Sequence, residues 1–127
     1  MTRIRFVRSA FLVLSSALLV LSSSRAAAIA QEAPNRREVA VVAHESTFEP
    51  NRIEVLQNDL VRITLKSEQH PRSFAIDAYR ISKRVSGGGS ITFEFHANQP
   101  GTFSFYCNLT SVDACRDMKG TLVVNAK

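Results

Sequence analysis

Cys107, Cys115 and Met118 fall in one short stretch, Cys-Asn-Leu-Thr-Ser-Val-Asp-Ala-Cys-Arg-Asp-Met. They include both cysteines of the 127-residue chain. Two thiols and a thioether are soft, polarisable donors, and a loop that gathers them suits a soft, late transition metal. The residues before the loop say how the first thiol is presented. Phe103, Phe105 and Cys107 alternate onto one face, as on a half-buried strand whose last inward position is the thiol. After Met118 the chain resumes as Gly120-Thr-Leu-Val-Val, a Gly-led apolar strand. No other part of the sequence has comparable chemical content.

Positioning such a loop requires rigid strands on both sides, and the upstream sequence supplies them. Val39, Val41 and Ala43 alternate with Ala40, Val42 and His44. Ile53 and Val55 make a short strand, and Asn58-Asp59 is a turn. Val61, Ile63 and Leu65 alternate with Arg62, Thr64 and Lys66, the clearest period-two segment in the chain. Ser73 to Ile76 reads as another strand. Gly87-Gly88-Gly89 breaks the pattern, and Ile91, Phe93 and Phe95 then face away from Thr92, Glu94 and His96. Pro100-Gly101 turns the chain into the strand ending at Cys107. No stretch after residue 30 has helical periodicity, so about seven short strands predict an all-β, antiparallel β-sandwich. Its expected core is Val41, Ile53, Val55, Val61, Ile63, Leu65, Phe74, Ile76, Phe93, Phe95, Phe103, Phe105, Leu122 and Val124.

The N-terminus reads as a targeting segment and not as part of that fold. Arg3, Arg5 and Arg8 precede an apolar run from Ala10 to Leu21, and small residues close at Ala28-Ile29-Ala30. That is a secretory signal over residues 1–30, with cleavage expected after Ala30. A flexible lead over residues 31–37 and one domain over 38–127 follow. Four of the 16 Lys and Arg lie in the signal (Arg3, Arg5, Arg8, Arg25) and none of the 11 acids does, leaving 12 bases against 11 acids. The basic pI therefore belongs to the targeting segment, and the mature part offers no basic stripe for nucleic acid. The apolar run is too short and Ser-rich for a comfortable span, so no transmembrane segment is expected after cleavage. Export places the chain in the periplasm or outside the cell. There a thiol pair closes unless a metal or a reductant holds it open.

The segment Phe48 to Leu65 (FEPNRIEVLQNDLVRITL), the strand Gly101 to Cys107 (GTFSFYC) and the run Met118 to Val124 (MKGTLVV) resemble the cupredoxins. The chain is similar to the copper domain of cytochrome oxidase subunit II and to stand-alone periplasmic cupredoxin-like domains. The resemblance covers most of residues 38–127. It implies a Greek-key β-sandwich, one bound copper ion, and a ligand set of two His, one Cys and an axial Met. Cys107 matches the Cys and Met118 the Met. The remainder departs from the pattern. Ser111 stands where a dinuclear centre has its second Cys, Cys115 where the loop His belongs, and Arg72 where the upstream His precedes Ser-Phe. A guanidinium cannot deprotonate to bind a metal. The nearest imidazole, His70, lies two residues earlier and reaches the site only if the loop bulges.

Three states of the sulfur loop follow from the resemblance. In one, Cys107, Cys115, Met118 and His70 bind one copper ion, favouring Cu(I) because three donors are sulfur. In another, Cys107 and Cys115 form a disulfide that replaces the metal. In the last, both remain free thiols, the outcome an oxidising compartment least favours. The implied function is electron transfer or copper handling, with a redox partner or a copper donor or acceptor protein. The alternative is a copper-free binding or structural module closed by the disulfide. No nucleophile–base–acid grouping appears, so no enzyme is expected. His44 and His96 read as solvated, Tyr106 as packed at a sheet edge, and Asn108 as a residue that orders backbone beside the thiol.

Overall fold

A computed structural model describes residues 33–127, so the expectations for the signal over 1–30 and for the first part of the lead lie outside the described residues. Among the described residues the nine strands are β1 (Arg36–Ala43), β2 (Phe48–Glu49), β3 (Arg52–Leu56), β4 (Leu60–Ser67), β5 (Arg72–Ile76), β6 (Ile81–Val85), β7 (Ser90–His96), β8 (Gly101–Tyr106) and β9 (Lys119–Asn125). They form a four-stranded sheet in the order β2-β1-β4-β7 and a five-stranded sheet in the order β3-β9-β8-β5-β6. Two 3₁₀ turns, Asp77–Tyr79 and Asp113–Cys115, are the only helical pieces among the described residues.

The expected all-β sandwich is what the chain forms. Antiparallel pairing links β4 to β7, β5 to β6 and β8, and β8 to β9. Two further pairs run parallel, β1 with β4 and β3 with β9. Between β1 and β4 the chain crosses to the other sheet to lay down β3, then returns, and such a crossover brings a strand back in the same direction. Period-two patterning identifies the apolar face of each strand but carries no information on direction. Two of the strands leave no such pattern at all. β2 is only two residues long, and β6 is an edge strand with its three central residues exposed, so neither shows an apolar alternation.

Of the expected core residues, all but Phe103 are buried, and Phe103 is half-buried against Tyr79. Phe48 joins them, with its ring 5.7 Å from Phe74 and 5.5 Å from Phe105. Phe74 stacks on Phe105 at 4.8 Å. These rings tie β2, β5 and β8 together, with edge-to-face and stacked geometries that add to the burial. Gly120 is part of the same arrangement. It faces Phe105 across the β8–β9 ladder, and any Cβ there would collide with the Phe105 ring and the Asn51 carbonyl. The missing side chain leaves the ring the space that a Cβ would fill.

Candidate sulfur centre at the end of the sandwich

Three elements deliver the three sulfur residues. Cys107 is the residue immediately after β8, Cys115 ends the 3₁₀ turn, and Met118 immediately precedes β9. The β8–β9 ladder ends at the pair Tyr106–Lys119. One more bond extends it, from the Cys107 N–H to the Met118 carbonyl at 3.1 Å. The Met118 N–H donates in turn to the Cys115 carbonyl at 3.2 Å. The loop is therefore pinned backbone to backbone at all three sulfur positions. The side chains are withdrawn from solvent, with Cys107 7%, Cys115 2% and Met118 0% exposed.

Cys107 and Cys115 are joined in a disulfide, with their Cα atoms 5.1 Å apart. One sulfur of the pair is also held from the neighbouring strand, where the Ser73 N–H donates to Cys107 Sγ at 3.3 Å. The Ser73 hydroxyl accepts the Asn108 N–H at 2.8 Å and donates to Asn108 Oδ1 at 2.6 Å. The Asn108 amide reaches on to Ser82 Oγ at 2.9 Å. The Asn108 side chain bonds to the Ser73 and Ser82 hydroxyls and not to backbone, so in place of the expected backbone ordering it clamps the thiol-bearing loop to β5 and β6. The sequence signals Ser73 only by its place on the opposite face from Arg72 and Phe74, because which residue it meets depends on the β5–β8 pairing. Above the disulfide lies an open groove of about 360 Å³, lined among others by Tyr106, Leu109, Val112 and Arg116. Tyr106 donates from its hydroxyl to Asp77 Oδ1 at 2.8 Å, and that bond, with some burial, raises its pKa above the usual 10.0.

The two remaining residues of the expected ligand region stand elsewhere. Arg72, at the first position of β5, is 2% exposed. Its Nη2 donates to the Glu45 carbonyl at 2.7 Å and its Nη1 to the Pro71 carbonyl at 2.8 Å. His70 is exposed and lines a different cavity from the cysteines, shared with Arg72 and His44. Its carbonyl is anchored by the Ser67 hydroxyl. His44 is not simply solvated: its ring nitrogens contact Glu49 Oε2 at 2.8 Å and Glu68 Oε1 at 2.7 Å. The bond to Glu49, then that to Glu68, raises its pKa above the usual 6.5. His96 is exposed on β7, as its alternation indicated. Among the described residues no group of three or more His, Cys, Asp or Glu side chains is arranged to hold a metal ion.

Comparison with known proteins gives this geometry its context. The family model described as "Cupredoxin-like domain" matches residues 11–124. Cytochrome c oxidase subunit 2 of Thermus thermophilus is 29% identical over 99 residues, covering 78% of this chain and 73% of that protein. A second subunit 2 sequence from the same organism is equally similar, but the chain spans only 59% of its length. Among solved structures, a heme-copper terminal oxidase dimer aligns with a TM-score of 0.66 at 16% identity, over 75% of this chain and 67% of the other. Auracyanin A, a blue copper protein of Chloroflexus aurantiacus, aligns with a TM-score of 0.61 at 15% identity, over 72% of this chain and all of its own. These likenesses between structures concern the fold.

Proposed function

The chain belongs to the cupredoxin-like domain family, and from that premise we propose that it is an exported copper-handling module whose sulfur donors are available only after reduction of Cys107–Cys115. The reading is supported above all by the backbone pinning of Cys107, Cys115 and Met118 at one end of the sandwich. The oxidised form does not fit a copper ion. Both thiols are consumed in the disulfide, and the upstream position carries a guanidinium committed to backbone carbonyls. The reduced form offers two thiolates and a buried thioether in one loop, a donor set that suits Cu(I). Copper held there would supply one-electron chemistry or serve as carried cargo. The protein's own part is to hold the three sulfurs on a rigid support and to keep water away from them. The Ser73 N–H would stabilise charge on Cys107 once it is a thiolate, because a hydrogen bond to the charged form favours it.

The disulfide itself favours a second reading, in which it is permanent and the protein is a metal-free binding or structural module. An oxidising compartment maintains such a bond without further machinery. One experiment separates the two. The purified protein is titrated with Cu(I) against a competing chelator, before and after reduction by a dithiol, with thiols counted in denaturant. One ion bound per reduced chain and none per oxidised chain is expected. Failure of the reduced chain to compete for copper leaves only the metal-free module. Electron transfer and an extracytoplasmic redox or copper-exchange partner belong to the same proposal. Their support is the similarity to oxidase subunit 2.

A further inference from the structure

We infer that the cavity beside Arg72, on the His44–His70 side of the sandwich end, is a binding site for one small oxyanion with carboxylate or phosphate chemistry. The cavity has a volume of about 120 Å³ and is lined by Ala43, His44, Glu45, Ser67, Glu68, Gln69, His70 and Arg72. Its distinctive group is the Arg72 guanidinium, 2% exposed and fixed to the fold through β5. A guanidinium carries five N–H hydrogens. Nη1 and Nη2 each spend one on a backbone carbonyl, and Nε is fully buried without a partner. Carbonyls satisfy hydrogen bonds but carry no net charge. Among the described residues, no carboxylate forms an ion pair with Arg72. A buried cation without a counter-ion is costly, and the usual remedy is a paired anion.

The wall of the cavity accommodates that anion. Glu68, which lines the cavity, is held by His44 Nδ1 at 2.7 Å, and the other ring nitrogen holds Glu49. The imidazole offsets part of their charge. Glu45 meets Arg72 through its backbone carbonyl, and its side chain is exposed. His70 and Gln69 are exposed at the rim and offer further donors. A planar or tetrahedral oxyanion can take two hydrogens from one guanidinium, which a spherical halide does less well. The loop wall is itself well defined, because Gly87 packs so tightly on the Gln69 carbonyl that no side chain fits there.

The test uses the oxidised, copper-free protein, so its result does not depend on the proposed sulfur chemistry. Inorganic phosphate, acetate and chloride are titrated separately at matched ionic strength, and backbone amide shifts are followed by NMR. Phosphate or acetate is expected to give saturable shifts concentrated at residues 44–46 and 67–72, at least tenfold tighter than chloride. Arg72→Met is expected to lose at least tenfold in affinity, and His70→Ala severalfold. His70 is exposed, so its variant remains informative even if Arg72→Met does not fold. Tighter binding of phosphate than of acetate would assign the site to a tetrahedral anion, and the reverse order to a carboxylate. Equal, unsaturable responses to all three salts would overturn the inference, as would shifts centred away from this cavity.

Discussion

At the scale of single residues, Arg72 and His44 each carry a consequence that can be tested. Arg72 stands where the resemblance to the cupredoxins places an imidazole, and its guanidinium is drawn to the Glu45 and Pro71 carbonyls. Arg72→His should therefore increase Cu(I) affinity of the reduced protein by at least tenfold while leaving the oxidised protein metal-free. Competition titration of both redox forms measures this, and an unchanged reduced affinity would refute the placement of Arg72 at a former ligand position. His44 gives a pH signature. Its two carboxylate contacts raise its folded pKa above 6.5. The stabilisation is thus fully present below the unfolded pKa and fades as pH rises through the folded one. The melting-temperature advantage of the wild type over His44→Asn should be largest in mild acid and shrink above neutrality. A gap that widens with pH would contradict the bridging role. Neither contact of His44 could be read from sequence, because Glu49 and Glu68 reach it only once β2 and the end of β4 flank β1.

Strand by strand, the sequence disclosed more than it did about individual contacts. The alternation of Val61, Ile63 and Leu65, and of Phe103, Phe105 and Cys107, identified the inward faces of β4 and β8 correctly. Period two reports burial on one side of a sheet, and burial is what those strands experience. It could not identify β6, whose edge position leaves little to bury, or the parallel pairs β1–β4 and β3–β9, since direction leaves no trace in polarity. The sulfur loop was legible as a group of residues. Its closure into a disulfide remained one alternative among three, because proximity depends on the ladder register that sets Cys107 opposite Met118. Gly120 secures that register by yielding its side-chain space to Phe105. Gly120→Ala should cost about 1–3 kcal/mol through overpacking. Urea unfolding at equilibrium would show it, and a loss below a few tenths would mean that the ring moves aside freely.

For the molecule as a whole, the question is whether the disulfide or the core keeps the sandwich folded. The core spans both sheets, from Val41, Val61, Ile63 and Leu65 on one side to Phe74, Phe105, Leu122 and Val124 on the other. It includes the aromatic cluster of Phe48, Phe74, Phe93 and Phe105. The bond closes only a short loop, with a sequence separation of 8. In the chain-entropy model that contributes about 2–3 kcal/mol. A domain of this size is commonly stable by about 5–15 kcal/mol, so the core alone should suffice. Cys107→Ser combined with Cys115→Ser should therefore fold, with a melting temperature lower by about 10–20 °C. Circular dichroism with a thermal ramp, repeated on the wild type with and without a dithiol, would establish both points. A double variant that is unfolded at room temperature would show that the sandwich depends on its staple. A reversible, sulfur-borne copper site could not then operate, because reduction would destroy the scaffold that presents the donors.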